Sequence, residues 1–496
     1  MVRQGHYDRI FIGGSWVEPA TAERIEVISP VTEEPIASVP AGAPSDIDRA
    51  VVAARAAFEG GWARSPLDER VGILERLRNR LVQVGEEMAQ VITAEMGCPI
   101  TQSRNIQVVA PLGTIDAHLE LARTYPFREV RHSPGGATAL IVREPIGVVG
   151  AVIPWNVPLG IAVSKIVPAI LTGCTVVLKP SPEAPLSPYF LAELLDEVGL
   201  PPGVVNVVPG GRETGEHLVT HAGVDKVTFT GSSAAGRRIA SLCGQDLRRV
   251  NLELGGKSAA VVLDDADLDA AVEALRLGSF RNSGQICTLK TRVLVSQRRH
   301  DELVDRLVDL AHSMPPGDPA DPATQVGPLV SVRQRGVVES YIDSARTEGA
   351  KAAVGGGRPE GLAKGWYVEP TVFTGVTPGM RIAQEEIFGP VLSVIAYADE
   401  EEAIAIANDS DFGLNGAVFS MDLEHGLRIA ERINTGTVEL NGSPAGFNAP
   451  MGGLKASGIG RENGPEGLAP YTEPKAIGLP AALAQALTGT QATTAA

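Results

Sequence analysis

From 146 to 263 the chain alternates short β-branched runs with longer amphipathic ones, and no other feature constrains its fold as tightly. Strand character falls at 146–153, 175–179, 204–208, 226–230 and 259–263, with helical spacing at 159–171, at 188–198 and after Ser233. Consecutive strands that run the same way need a crossover, and a helix supplies it. The pattern predicts a parallel sheet with helices on both faces, in a doubly wound unit ending near residue 255.

A second α/β unit is expected over 256–456, with strands at 292–296, 391–397, 417–420 and 437–441 and helices at 301–313, 333–348 and 400–409. Upstream, 46–57 and 66–96 carry helical spacing behind Ser45 and Ser65 as N-caps, so the first unit takes in 1–125 and 145–255. The β-rich stretch 129–142 interrupts it as a protruding hairpin, which serves either as a plain surface hairpin or as an arm for a partner subunit. Segments 126–144 and 457–483 then bridge the units, and the Ala-, Gln- and Thr-rich tail 484–496 is expected to fray.

Composition removes several function classes. Lys and Arg total 43 against 59 Asp and Glu, a formal charge of -16, and no basic stripe could neutralise a phosphate backbone, so nucleic acid is not an expected partner. MVRQGHYDRI lacks the apolar core of a signal peptide, and the longest apolar region, 146–163, is broken by Pro154, Asn156 and Pro158. A soluble cytoplasmic protein without a membrane partner is expected. Cys98, Cys174, Cys243 and Cys287 form no CxxC pair and no disulfide framework, and the eight histidines, with no HExxH, are read as scattered. No metal is expected.

Three side chains invite chemistry. Cys287 lies in FRNSGQICT, a small and polar setting, and reads either as a buried small hydrophobe or as a nucleophile. Glu253 stands between two leucines before a double glycine, where apolar neighbours raise a carboxyl pKa toward base work, unless it is a solvated strand-end Glu. Asn156, in PWN after the first strand, stands where open parallel sheets place ligands; it either donates to an oxyanion or satisfies its own turn. The turns KPS after 175–179 and FTGSSAAG after 226–230 could hold a dinucleotide through helix N-terminal amides, though neither is a GxGxxG.

Taken together and in order, PWN, KPS, FTGSxxxG, LELGGK, NxGQxC, EEIFGP and GGLKASG resemble the aldehyde dehydrogenase superfamily over nearly the whole chain. The resemblance implies a Rossmann-like cofactor domain, a catalytic domain, a small β-rich oligomerisation arm, and a homodimer or homotetramer. It makes Cys287 the nucleophile and Glu253 the general base, with Asn156 and the Cys287 amide as the oxyanion hole; Lys165 and Glu462 match proton-relay positions. NAD, with NADP possible, is the implied cofactor, held by Ile153, Pro154, Trp155, Lys179, Ser181, Glu183, Gly211, Gly231, Ser232, Leu254, Glu386 and Phe388, with Gln334 reaching the adenosine side. One departure is that the acid expected three places after Lys179 is Pro182, with Glu183 next, and such an acid repels a 2'-phosphate.

The implied reaction turns an aldehyde into a carboxylic acid through a thiohemiacetal and a thioester on Cys287. Gly160, Ile161, Ser164 and Phe447 are expected to wall a roomy apolar tunnel without an aromatic cage, which favours aliphatic or terpenoid-like aldehydes. The alternatives are a coenzyme A-acylating semialdehyde dehydrogenase, against which Glu253 argues, a thiol ester hydrolase, and a binding protein that has kept the fold.

Overall fold

The computed structural model describes residues 7–494, with side chains to 487. Residues 1–6, on which part of the signal-peptide reading rests, and 495–496 of the tail lie outside the described residues. Two open sheets dominate, each sandwiched by helices as the alternation predicts.

In the first sheet five parallel strands lie in the order Val205–Val207, Thr175–Lys179, Val148–Val152, Lys226–Thr230 and Arg249–Glu253. The chain winds outward from Val148–Val152 in one direction and then crosses back to Lys226–Thr230. The switch point therefore lies between those two strands, where such sheets open a crevice at their carboxyl ends. Strands Ile10–Ile12 and Ser15–Val17 extend one edge, and Gly458–Ile459 pairs antiparallel with Leu252 and Glu253 at the other.

The second sheet runs Lys351–Val354, Thr371–Thr374, Val391–Tyr397, Lys290–Ser296, Ser258–Val262, Gly416–Phe419 and Glu439–Leu440, parallel except for its first strand. The strand expected at 259–263 thus opens the second sheet. Only residues 254–257 separate it from Arg249–Glu253 in the first, so the chain passes between the sheets in four residues.

Several local expectations change. Helix Pro44–Glu59 is capped at Ala43, not Ser45, because the Asp46 carboxylate accepts the Ala43 amide at 2.9 Å. The stretch 66–96 is two helices, Leu67–Gln83 and Gly85–Met96, and the Ser65 hydroxyl turns back to the Trp62 carbonyl. The hairpin Arg128–His132 with Thr138–Pro145 gains a third strand from its own chain, Thr472–Leu479, which leaves Arg128–His132 as an open edge. The tail expected to fray is helical over Ala481–Thr494.

The entry to the central strand is locked by charge. Asp225 Oδ2 accepts the Val148 amide at 2.7 Å and Arg55 at 2.5 Å, tying the N-terminal helix to the sheet floor. Gly147, at φ 128, turns into that strand with its α-carbon so close to Asp225 that any β-carbon would overlap the carboxylate. Gly147→Ala should lower the apparent melting temperature by at least ~4 °C through strain and a displaced Asp225. An unchanged melting curve would contradict this account of the sheet floor.

Candidate active site

The carboxyl edge of the first sheet faces the amino edge of the second. Pro154 to Asn156, Gly231, Ser232 and Glu253 follow or end strands of the first sheet, whereas Cys287, Glu386 and Phe388 precede strands of the second. They line one cavity of about 420 Å3. Of the four free cysteines among the described residues, Cys98, Cys174 and Cys243 are buried in packing and only Cys287 is partly exposed.

The Cys287 loop is held in an unusual shape. Asn282 and Ser283 both have left-handed φ, 52° and 56°, a conformation that costs side-chain-bearing residues free energy and persists where surroundings enforce it. Here Gln102 accepts the Asn282 amide at 2.8 Å, and Gln285 donates to the Asn282 carbonyl at 2.9 Å while accepting from Val330. Asn156 is fastened to the same loop. Its Nδ2 donates to the Gln285 carbonyl at 2.9 Å, and its own carbonyl accepts from Gln107 at 2.9 Å and Asn282 at 3.1 Å. The second Nδ2 hydrogen remains available, and no acceptor among the described residues takes the Cys287 N–H. Two donors beside one sulfur suit a developing oxyanion.

Burial pushes the Cys287 thiol up to about 12, and the Glu386 and Glu253 carboxylates add to the rise. The side-chain cation opposing them is Arg281, six residues upstream, whose Nε has no partner and which forms no ion pair among the described residues. Arg281 was not singled out from sequence, because nothing in an isolated Phe-Arg-Asn shows where its guanidinium turns.

Glu253 is 3% exposed and neither carboxylate oxygen has a hydrogen-bond partner among the described residues. Burial first, then the Glu462 charge, raise its pKa well above the ordinary value, against Lys165 and Arg461. Glu462 lines the same cavity and binds Lys165 Nζ at 2.7 Å and Ser164 Oγ at 3.0 Å. The Glu253 carboxyl, pushed toward its neutral form by burial, suits proton transfer.

Of the other candidate cofactor residues, Pro154, Trp155, Gly231, Ser232, Leu254, Glu386 and Phe388 line the cavity, whereas Ile153, Lys179, Ser181, Glu183 and Gly211 lie outside its lining. Ser232 caps helix Ser233–Gln245 and accepts the Ala235 amide at 3.3 Å, leaving a helix N-terminus at the crevice. Glu386 accepts the Gly256 amide at 2.9 Å and is pushed up to about 7 by burial; Phe388 meets Trp155 edge to face at 5.4 Å. Leu254 lines the cavity, and Ile153 donates to the Lys179 carbonyl at 3.1 Å. Lys179 is buried, donates to Pro180 and Gly210 carbonyls at 2.7 and 2.6 Å, and feels the Glu183 charge. Ser181 hydrogen-bonds Glu183, so the displaced acid still stands beside Lys179. Gly211 caps the helix that follows.

Gln334 donates to the Phe388 carbonyl at 2.9 Å and lines the same cavity as Cys287. Of the expected tunnel residues only Ile161 reaches that cavity: Gly160 abuts Val157, Ser164 turns to Glu462, and Phe447 lies on Gly113. The histidines are also less scattered than expected. His217 and His221 converge on Asp48, but His221 Nδ1 accepts the Gly223 amide, so its Nε2 carries the proton and faces the carboxylate as a donor.

If Arg281 is what opposes the carboxylates, alkylation of Cys287 by iodoacetamide should keep rising beyond about pH 9, since only the thiolate reacts. Arg281→Leu should slow it roughly threefold or more at fixed pH, a shift of about half a pKa unit. A plateau near neutrality in both enzymes would contradict this electrostatic picture.

The profile of the aldehyde dehydrogenase family matches residues 16–477. Geranial dehydrogenase from Castellaniella defragrans is 46% identical over 95% of this chain and 98% of its own. An aldehyde dehydrogenase from Mycobacterium tuberculosis, solved with NAD+, superposes with a TM-score of 0.94 at 46% identity, covering 96% of this chain and 98% of that one. Aldehyde dehydrogenase C from Pseudomonas syringae, solved as a cysteine-to-alanine variant with NAD+ and octanal, gives 0.93 at 41%, with 96% and 98% covered. With its paired sheets, its junctional cysteine and a match spanning almost its full length, this chain belongs to the aldehyde dehydrogenase family.

Proposed function

We propose that the chain oxidises apolar aliphatic or terpenoid-like aldehydes to free acids, with Cys287 as nucleophile, Glu253 as base and NAD as acceptor. The observation that carries this reading is the cavity shared by a partly exposed thiol and a buried, unbonded carboxyl. Cys287 Sγ attacks the aldehyde carbon, and the oxyanion of the thiohemiacetal is received by the Cys287 N–H and Asn156 Nδ2, each donor worth about 3 kcal/mol. NAD held along Ser232, Glu386 and Phe388 would supply the acceptor for the hydride that leaves the thiohemiacetal carbon. The thioester left on Cys287 is opened by water, whose proton passes to Glu253 and then to the Glu462 carboxylate, which Lys165 holds in place at 2.7 Å. Without Glu253 the thioester could await a thiol such as coenzyme A, so its presence favours hydrolysis.

The substrate reading draws on the apolar wall of Val157, Ile161, Ile286, Val337 and Met451, and on relatives named for geranial or bound to octanal. Glu183 beside Lys179 favours NAD over NADP. The open strand Arg128–His132 supports a homodimer or homotetramer, and a one-chain mass by light scattering would rule that out. Free cysteines fit the cytoplasm, and no described helix is long and apolar enough to cross a membrane.

Stopped-flow mixing with octanal should show Glu253→Gln giving a full burst of reduced cofactor and then stalling, and Cys287→Ala giving none. NAD should outperform NADP, and octanal should outperform betaine aldehyde. A Glu253→Gln enzyme with no burst would overturn the assignment of the base to the second half-reaction, and preference for the cationic aldehyde would overturn the substrate class.

A further inference from the structure

Residues 100–124 do not form one continuous α-helix. Between helices Ile100–Gln102 and Val109–Thr124 the segment Ser103–Val108 is wound as a π-turn, a geometry that is rare and recurs at functional sites. Its effect here is on spacing. Side chains five positions apart diverge by about 140° around an α-helix, whereas i→i+5 bonding stacks them on one side. Gln102 and Gln107 are five apart, and both reach the loop of Cys287 and Asn156. Gln102 Oε1 accepts the Asn282 N–H at 2.8 Å, and Gln107 Nε2 donates to the Asn156 carbonyl at 2.9 Å. Asn282 Nδ2 donates to that same carbonyl at 3.1 Å. The turn is fastened from outside: Gln102 Nε2 donates to the Gln325 carbonyl at 2.7 Å, and Thr93 Oγ1 to Ser103 Oγ at 2.8 Å.

Packing does not explain these amides. Gln107, Asn156 and Asn282 are at most 4% exposed, and Gln107 Oε1 and Asn282 Oδ1 have no hydrogen-bond partner among the described residues. An apolar side chain would avoid that cost. Neither amide can turn over to relieve it, since its oxygen would then meet the Asn156 carbonyl oxygen, acceptor against acceptor. We propose that Gln107 is a positioning residue for the oxyanion: by holding the Asn156 carbonyl from the π-turn, it aims the free Nδ2 hydrogen of Asn156 at the point where the Cys287 N–H is aimed.

This inference rests on the oxyanion role proposed above for Asn156. Asn156 has three ties, its carbonyl to Gln107 and Asn282 and its Nδ2 to the Gln285 carbonyl at 2.9 Å. Asn282 and Gln285 belong to the Cys287 loop, so those two ties move with it. Gln107 supplies the tie from a separate element and fixes Asn156 against the helices of the first unit. Preorganised donors stabilise charge only while aimed at it, and a misplacement of about 1 Å can cost a hundredfold in rate. Gln107 lies outside the lining of the cavity, so it acts through Asn156.

Single-turnover reduction of NAD, with enzyme in excess over octanal, reads hydride transfer before thioester hydrolysis. Gln107→Met keeps the length and removes the donor; it should slow this step at least about tenfold and leave the NAD dissociation constant unchanged. In an Asn156→Ala background the same substitution should have no further effect. Gln107→Glu adds a pH readout: neutral, its O–H can donate to the Asn156 carbonyl, and ionised it can only accept. Its rate relative to wild type at the same pH should therefore rise as pH falls. A wild-type rate in Gln107→Met would overturn the proposal, as would an equal loss in the Asn156→Ala background, which marks general damage. If Gln107→Met fails to fold, Gln107→Glu decides, and a ratio that does not change with pH would overturn it. A wild-type rate in Asn156→Ala alone would instead remove the oxyanion reading itself.

Discussion

The structure depends on the four-residue passage from the first sheet to the second. Arg249–Glu253 ends at the crevice of one sheet and Ser258–Val262 begins the other, so Glu253 is anchored at the seam. Gly256 packs so tightly on the Cys287 carbonyl that a β-carbon there would overlap it, and its amide is held by Glu386. The carboxyl, the sulfur and the loop of Glu386 are thus parts of one joint. Glycine is required where backbone must touch backbone.

From that joint follows the electrostatic character of the site. Burial there pushes the thiol and the carboxyls of Glu253 and Glu386 toward their neutral forms. The cations that offset this are Arg281 at Cys287, Lys165 with Arg461 at Glu253, and Lys257 at Glu386. Glu386, pushed up to about 7, is the member of this set that titrates near neutrality. The site is built from underpaired groups in an otherwise well-packed interior, which is how functional sites depart from structural ones.

Much of this was legible in the sequence because it followed from period and punctuation. The strands at 175–179, 226–230 and 391–397 were read to the residue, since continuous β-branched runs between turn residues leave little ambiguity. Cys287, Glu253 and Asn156 were legible only as an ordered set of motifs. Arg249–Glu253 was missed as a full strand because RVNLE mixes charge with apolar residues, and its pairing with Gly458–Ile459 is a contact some two hundred residues away in sequence. The approach of Arg281 to Cys287 and the Gln334–Phe388 contact depend on where side chains meet across elements, and a linear pattern holds no record of that.

The central claim is that Cys287 carries the acyl group and Glu253 directs water to release it. The direct measurement is mass spectrometry of the Cys287 peptide from Glu253→Gln enzyme quenched after reaction with octanal and NAD. The account predicts one octanoyl group on Cys287 in near-stoichiometric yield, absent without NAD and labile to hydroxylamine. An unmodified Cys287 peptide, or acyl on any other residue, would contradict it.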